Sequence, residues 1–270
     1  MVIDSHAHIF PEKIAGKALG KLSSIVHIDP CTDGTAPDLI RSMRKGGVDI
    51  SIILPVVTDV HQFDSILRFS TYINEMYSHP DQPHRLISTG GIHPDDPDYK
   101  ERLALLRREG FHALKVHPNY QGVHFNDIRF KRLLYAAAEQ DMTIITHAGF
   151  DALTPKEEFC TPDMILEILR EVAPEKLIAA HMGSNRNYAE AEEKLCGRNV
   201  YFDTAYVLTE LSPEQFTRMV RKHGADKVLF ATDTPWSSQE YGVDFIRNCP
   251  LTDAEKMRIL SENAQKLFKI

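Results

Sequence analysis

The sequence predicts an α/β protein built as a single (β/α)8 TIM barrel over residues 1–270. Short runs rich in β-branched residues alternate with longer segments of helical period, an order typical of β-α units around a parallel sheet. Eight predicted strands each precede a predicted helix, which is the number that closes a barrel. Polar residues repeatedly end the apolar runs, at the edge where barrel enzymes place their sites.

The predicted strands are short apolar runs, several of which end in a histidine or an aspartate. Enrichment in β-branched and aromatic residues distinguishes such runs from buried helix segments. In chain order the strands cover Val2–Ile9, Asp49–Val56, Arg85–Gly91, His112–His117, Thr143–His147, Leu177–His181, Val200–Thr204 and Val228–Asp233.

The predicted helices lie between these strands and carry recognisable N-termini. Thr161 before Pro162, and Ser212 before Pro213, place a capping hydroxyl ahead of a proline in the first turn. The stretch Leu22–Ala36 is the least regular, and we expect a loop there that forms a lid or one wall of a pocket. The helices cover Pro37–Lys45, Phe63–Ser78, Tyr99–Arg108, Ile128–Gln140, Pro162–Val172, Tyr188–Leu195, Pro213–Lys222 and Asp253–Leu267.

Composition argues against several classes of partner. With 31 Lys and Arg against 38 Asp and Glu, the net charge of -7 repels nucleic acid and anionic membranes. The four cysteines form no C-x-x-C pair, which suits reduced thiols. No export signal and no apolar run near the ~20 residues of a membrane helix are visible. We therefore expect a cytoplasmic protein without a nucleic-acid or membrane partner.

A His-x-His pair on the first predicted strand is the first candidate for chemistry. Successive side chains of a strand alternate between its faces, so Asp4, His6 and His8 are predicted to share the barrel interior. Two imidazoles at positions i and i+2 can converge on one cation. The same first strand carries no Gly-rich turn, which argues against an open doubly wound sheet that binds a nucleotide.

Three more polar residues end later strands. His147 ends the fifth, His181 the sixth and Asp233 the eighth. A lone histidine at a strand end is more often structural, but burying all of these residues together is costly unless a cation or hydrogen bonds compensate them. The sequence therefore predicts a metal site at the C-terminal end of the barrel.

The phrases Asp-Ser-His-Ala-His, Leu-Lys-Val-His-Pro, Thr-His-Ala-Gly, Ala-His-Met-Gly and Ala-Thr-Asp-Thr-Pro resemble the amidohydrolase superfamily, and most of all its amidohydrolase-2 group. That group includes aminocarboxymuconate semialdehyde decarboxylase beside many hydrolases. The resemblance runs from Asp4 to the end of the last strand, and it implies a metal-dependent enzyme on a TIM barrel.

The resemblance implies that His6, His8, His147 and Asp233 bind a divalent metal ion. A single zinc is favoured, with two ions, or manganese or iron, as alternatives. Such an ion lowers the pKa of bound water toward about 7. Asp233 would also take the proton from that water, and His181 would stabilise charge on the substrate oxygen or shuttle a proton.

Lys115 is the main ambiguity, because a lysine at this strand end is carboxylated in some superfamily members and bridges two metals, with His147 and His181 on the second ion. The alternative, which we favour, is one metal with Lys115 and His117 binding substrate. Arg186, just beyond the sixth strand, is a candidate to hold a carboxylate by a bidentate contact, with an exposed loop arginine as the alternative. The further predicted substrate-binding residues, just beyond strand ends, are His93 and Trp236.

Hydrolysis of a C–N, C–O or ester bond in a small, carboxylated or cyclic substrate is the leading functional prediction. Non-oxidative decarboxylation on the same metal site is the first alternative, and a non-catalytic metabolite-binding barrel is the second. The expected partner is a small-molecule substrate. A homodimer is the default for the family, although no sequence feature supports it.

Overall fold

The computed structural model describes all 270 residues and contains nine strands, which form a three-stranded and a six-stranded parallel ladder, each in chain order. The predicted third strand is split at Thr89, whose main-chain N–H still donates to the Ile53 carbonyl at 2.9 Å, so the sheet continues across the break. The strands are β1 Ile3–Ala7, β2 Ile50–Ile53, β3 Arg85–Ser88, β4 Gly90–Gly91, β5 Ala113–Val116, β6 Thr143–Thr146, β7 Leu177–Ala179, β8 Tyr201–Asp203 and β9 Val228–Leu229.

Main-chain hydrogen bonds between β1 and the segment after β9 close the sheet. The N–H of His8 donates to the Thr234 carbonyl at 2.7 Å, and the N–H of Asp233 donates to the His6 carbonyl at 2.9 Å. Closure leaves no strand edge unpaired at this seam. The predicted TIM barrel is therefore confirmed, while the extent of one domain over residues 1–270 stays a prediction.

Helices follow the strands, and the predicted ones begin within two residues of their expected positions. The capping hydroxyls act as expected, since Thr161 Oγ1 accepts from the N–H of Met164 and Ser212 Oγ from that of Gln215. The helices are α1 Glu12–Val26, α2 Ala36–Gly46, α3 Phe63–Tyr77, α4 Tyr99–Arg108, α5 Pro118–Gln121, α6 Ile128–Glu139, α7 Pro162–Glu171, α8 Tyr188–Lys194, α9 Pro213–His223, α10 Gln239–Asn248, α11 Asp253–Met257 and α12 Asn263–Phe268. None of them is both long and apolar enough to cross a membrane.

Two parts of the helix prediction were wrong. The expected loop Leu22–Ala36 begins inside α1, which has no side-chain N-cap and contains two glycines, so its start was not recognisable in the sequence. The helix that follows the last strand is α10, which the sequence prediction omitted. The predicted Asp253–Leu267 helix is instead α11, a π-helical turn at Arg258–Glu262 and α12.

Apolar side chains fill the barrel interior at its N-terminal end. They come from every strand except β3 and β4, and from α12, which lies across that end with the Leu267 carbonyl accepting from Thr143 Oγ1 at 2.8 Å. We call this set the lower layer; it comprises Ile3, Ile50, Ile52, Ala113, Ile145, Ile178, Tyr201, Leu229, Ala264, Leu267 and Phe268. Leu54, a further member of the same cluster, lies at the other end of the barrel, where its carbonyl oxygen accepts from His8 Nδ1. A larger apolar cluster of 52 residues lies between the sheet and the helices.

A bulge in β1 determines which of its side chains enter the interior. Asp4 pairs with Ser51 of β2, but Ala7 pairs with Ile53, so three steps along β1 match two along β2. The extra residue reverses the alternation of faces along the rest of β1.

The reversal places Asp4 among the helices and not in the interior. Its carboxylate accepts from Gln239 Nε2 of α10 at 2.8 Å and from Thr232 Oγ1 at 2.6 Å. Burial raises the pKa of Asp4 to about 6, although these hydrogen bonds act to lower it. The prediction that Asp4 shares a face with His6 and His8 was therefore wrong, because alternation holds only along an unbroken ladder.

Candidate functional site

Three side chains converge at the C-terminal end of the barrel. His6 Nε2 lies 3.1 Å from His8 Nε2 and 3.5 Å from Asp233 Oδ1, and His8 Nε2 lies 3.2 Å from the same oxygen. Two ligands about 2.1 Å from one ion at a tetrahedral angle lie about 3.4 Å apart. The three observed separations therefore match those of ligands on a single divalent ion.

The hydrogen bonds behind the two imidazoles leave their lone pairs free for an ion. His6 Nδ1 lies 2.9 Å from Asp203 Oδ2, and His8 Nδ1 lies 2.9 Å from the Leu54 carbonyl oxygen. Both partners only accept, so each Nδ1 carries the proton and each Nε2 presents a lone pair. Lone pairs on both rings and on Asp233 then face one another, an arrangement that a bound cation stabilises.

Burial supports the same protonation states. It lowers the pKa of His6 to about 4, and the nearby Lys115 charge acts in the same direction. Burial acts to raise the pKa of Asp233, but its interactions with His8, His6 and His181 hold it well below its usual value. Neutral imidazoles and an ionised carboxylate are the forms that bind a metal.

Asp203 is a residue of this site that the sequence analysis missed. It is buried at the end of β8, where it accepts from His6 Nδ1 and from the main-chain N–H of His181. Burial acts to raise its pKa, but its attraction to His6 and these hydrogen bonds lower it to about 2. The available signal was its place at the end of a strand, the same signal that identified Asp233.

Lys115 lies beside the three donors at the end of β5. Its side chain is almost fully buried, and its Nζ is 3.3 Å from His6 Nε2. Burial lowers the pKa of Lys115 to about 8, while Asp203 and Asp233 oppose that shift. A protonated amine at this place would bind an anion, whereas carboxylation needs the neutral amine.

The structure separates His147 from the three convergent donors. His181 Nδ1 donates to the Ala205 carbonyl at 2.8 Å, so its Nε2 accepts from His147 Nδ1 at 3.0 Å. The remaining atom, His147 Nε2, is buried without a hydrogen-bond partner. His147 is thus not one of the three convergent donors, and its predicted role as a metal ligand stays a prediction.

A second group of donors surrounds that free lone pair. Asp151 Oδ2 lies 3.7 Å from His117 Nε2 and 3.9 Å from His147 Nε2. The two imidazole rings are stacked at 4.3 Å and 9°, with the Tyr120 ring stacked on His117 at 3.9 Å. Ring lone pairs lie in the ring plane, so those of two parallel rings do not converge on one ion. This group suits hydrogen bonding to a polar ligand better than chelation.

Unusual backbone geometry holds the rim in place. Gly149 has φ +84°, and a Cβ atom there would lie 2.4 Å from the Asn185 main-chain nitrogen, so only glycine fits. His181 and Asp233 also adopt positive φ, 59° and 65°, at about 1–3 kcal/mol each. Backbone strain of this kind is concentrated at functional sites and is not visible in a sequence.

The three convergent donors, Lys115 and the group around His147 line one cavity of about 800 Å³. Arg186 and Trp236 line it as predicted; the Arg186 guanidinium lies 4.4 Å from the Phe150 ring centroid and 3.6 Å from Glu210. His93 does not line it, because its Nδ1 turns away to accept from the N–H of Asp95. The predicted roles of these residues in substrate binding stay predictions.

Comparison with known proteins identifies the chain's relatives. A family model described as amidohydrolase matches residues 3–270. Gamma-resorcylate decarboxylase from a Polaromonas species is 30% identical over 73 residues, which are 26% of this chain and 22% of that enzyme. The chain therefore matches less than a quarter of this curated relative's length.

Solved structures match over nearly the whole chain. A 2,6-dihydroxybenzoate decarboxylase complexed with 2,6-dihydroxybenzoate has a TM-score of 0.72 at 15% identity, covering 100% of this chain and 99% of that one. A dihydroxybenzoic acid decarboxylase from Polaromonas with bound manganese and the inhibitor 2-nitroresorcinol has a TM-score of 0.72 at 18% identity, covering 99% of this chain and 96% of that one. An uncharacterized TIM-barrel protein from Bordetella bronchiseptica has a TM-score of 0.76 at 14% identity, covering 99% of this chain and 98% of that one. At such identities the likeness shows the fold.

These findings overturn the leading functional prediction. The prediction of hydrolysis of a C–N, C–O or ester bond was wrong, because the matched relative and the two structural neighbours named above as enzymes are decarboxylases. A set of histidines and an aspartate around a metal serves both reactions, so the donor residues alone did not separate them.

Proposed function

Because the chain belongs to the amidohydrolase family, we propose that it is a metal-dependent decarboxylase that removes CO2 from an aromatic acid. The observation that carries the proposal is the convergence of His6, His8 and Asp233 beside the buried Lys115 ammonium. A cation site next to a fixed positive charge binds an anionic substrate by electrostatic attraction. The named activities of the relative and of the structural neighbours support decarboxylation as the reaction.

His6, His8 and Asp233 would hold one divalent ion. Two imidazole nitrogens and one carboxylate oxygen suit zinc, and they also accept manganese, which a structural neighbour binds. When bound, such an ion acts as a Lewis acid that draws electrons from substrate oxygens. Asp203 and Leu54 hold the two rings in the orientation that this binding requires.

Decarboxylation breaks the bond between the ring carbon and the carboxylate, and the released electron pair must take up a proton as CO2 leaves. Lys115 holds the anionic substrate on the cavity floor. His181 is the proposed proton donor, since its ring centroid lies 5.6 Å from that of His6 and its Nε2 can gain a proton from His147 Nδ1. For this transfer His147 would first take up a proton at Nε2, on the side of Asp151, so that loss of its Nδ1 proton to His181 returns the ring to its neutral form.

The test is CO2 release by metal-loaded protein. With 2,6-dihydroxybenzoate and other hydroxybenzoates as substrates, we expect one CO2 per acid consumed, and one deuterium on the former carboxyl-bearing carbon in D2O. Removal of the ion with EDTA should stop the reaction, and zinc or manganese should restore it. Binding of these acids without CO2 release across the panel would instead support a non-catalytic metabolite-binding barrel.

A further inference from the structure

The cavity is much larger than a single aromatic ring needs. A cavity of about 150 Å³ accommodates benzene, whereas this one measures about 800 Å³. We infer that the substrate acid carries an apolar substituent of several carbons, which extends from the polar floor into the space between α1 and α3. This inference rests on the proposed function, because it specifies the substrate class of the same site.

One apolar stripe of α1 faces the cavity and a different stripe packs on the protein. Ala15 and Leu19 are buried, and Leu19 packs so closely on Gly34 that a Cβ atom there would lie 2.8 Å from Leu19 Cδ1. The cavity stripe recurs at helical spacing and comprises Ile14, Ala18, Leu22 and Ile25. A second apolar stripe with no partner in the core indicates a ligand that covers it.

The opposite wall comes from α3 in the same way. Phe63 and Ile73 are buried in the core, while Ile66 and Phe69 are half-buried and line the cavity. Lys21 is the one charged residue that α1 and α3 contribute to the lining. The two helices therefore enclose a mainly apolar space, in which an alkyl or aryl substituent gains about 25 cal/mol per Å² that it buries.

The polarity of the two parts of the cavity fixes the orientation of the substrate. Lys115, Asp233 and the histidines lie at the barrel floor, so the carboxylate end belongs there. The apolar helices lie at the mouth, and the apolar substituent belongs there. A reversed molecule would place its carboxylate against apolar side chains, which is costly.

Binding of a matched series of inhibitors tests this inference without turnover. The probes are 2-nitroresorcinol and its 5-alkyl derivatives with one to seven carbons, titrated calorimetrically into zinc-loaded protein. Each added methylene that is buried should tighten binding about three- to fourfold, equivalent to about 0.8 kcal/mol. Affinity that stays constant or falls as the chain lengthens would overturn the inference.

Two matched variants locate the effect on the helices. Ile25→Ser and Ile66→Ser should each reduce the advantage of the heptyl probe over 2-nitroresorcinol by about tenfold. Ile128→Ser is the control, because Ile128 is 71% exposed on α6 and does not line the cavity. In this variant the affinity for the heptyl probe relative to 2-nitroresorcinol should equal that of the wild type. An undiminished advantage in both cavity variants would exclude the space between α1 and α3 as the binding site.

Failure of the inference is distinguishable from failure of the proposed function. Chain-length-dependent binding, with no CO2 released from any acid of the panel, would overturn decarboxylation and retain the apolar subsite. CO2 release from 2,6-dihydroxybenzoate, with affinity independent of chain length, would retain decarboxylation and overturn the subsite.

Discussion

The two ends of the barrel interior differ in chemistry although the same strands build both. β6 contributes Ile145 to the lower layer and leads directly to His147 at the C-terminal end, while β8 contributes Tyr201 to the lower layer and ends at Asp203. Because side chains two residues apart share a face, an advance of two residues along a strand changes the inward side chain from a packing residue to a residue of the site. The comparison shows how little chain separates the stabilising end from the functional end.

The two ends also differ in whether burial of their side chains is favourable by itself. The lower layer is apolar and closed by α12, so it gains hydrophobic free energy without needing partners. The C-terminal end buries Lys115, Asp203 and several histidines, whose burial is unfavourable unless hydrogen bonds or an ion compensate it. We therefore expect substitutions at the C-terminal end to affect metal binding and those in the lower layer to affect folding.

Asp233→Asn should have the largest effect, because it removes the only carboxylate among the three convergent donors. Since changes to indirect partners already cost roughly 10–100-fold in metal affinity, we expect a loss of more than about 100-fold. Metal content after dialysis, measured by mass spectrometry, checks this. Asp244→Asn, an exposed change on α10, is the control and should retain the metal. Full retention by Asp233→Asn would refute the assignment of this carboxylate to the ion.

Leu267→Ala should make the opposite change, with lower stability and unaltered metal affinity. Leu267 is 2% exposed in the lower layer, and loss of a buried leucine costs about 2–5 kcal/mol. Urea unfolding of the metal-free protein measures this loss in the free energy of unfolding. Ile128→Ala, at an exposed site, is the control and should change the free energy of unfolding little. Loss of metal affinity in folded Leu267→Ala would show that the two ends are coupled, against the comparison.

His223, near the N-terminal end, should make stability depend on pH without involving the metal. Its Nε2 donates to the Val200 carbonyl and its Nδ1 accepts from the N–H of Gly197, so protonation of Nδ1 breaks the second bond. Burial lowers the pKa of His223 from 6.5 to about 4. A lowered folded-state pKa means that stability is lost as the pH falls through this range.

Between pH 7 and pH 5 this loss should reach about 2 kcal/mol. Urea unfolding of metal-free wild type and His223→Gln at both pH values isolates the contribution, because all other groups titrate in both proteins. The variant should lose less stability than the wild type over the same range. Equal losses in the two proteins would exclude His223 as the cause.

Asp203→Asn should have the smallest effect of the series, because Asp203 acts on the ion through His6. Weakening this partner should lower metal affinity by roughly 10–100-fold while leaving the three convergent donors in place. A metal-competition titration against a chelating dye measures the change. Asp203→Glu, which retains the negative charge, should recover part of the affinity; an affinity equal to that of the wild type in Asp203→Asn would refute this positioning role.

Much of the site was predictable because its signals are local. His6, His8 and Asp233 were found from their places at strand ends, and the structure brings them within ligand distance of one another. Asp203 and Asp151 were missed, although Asp203 showed the same signal as Asp233. The separation of His147 from His6 and His8 was not predictable, because it depends on its hydrogen bond to His181 on another strand.

The sequence by itself determined the order of strands and helices, the parallel barrel and the residues at its C-terminal end, because periodicity, capping and strand ends are properties of neighbouring residues. The tertiary structure alone decided that a bulge places Asp4 among the helices, that α1 and α3 enclose a large apolar cavity, and that His117 and His147 stack in parallel. Each of these depends on contacts between residues far apart in the chain. Such contacts depend on packing across the whole barrel, which no local pattern records.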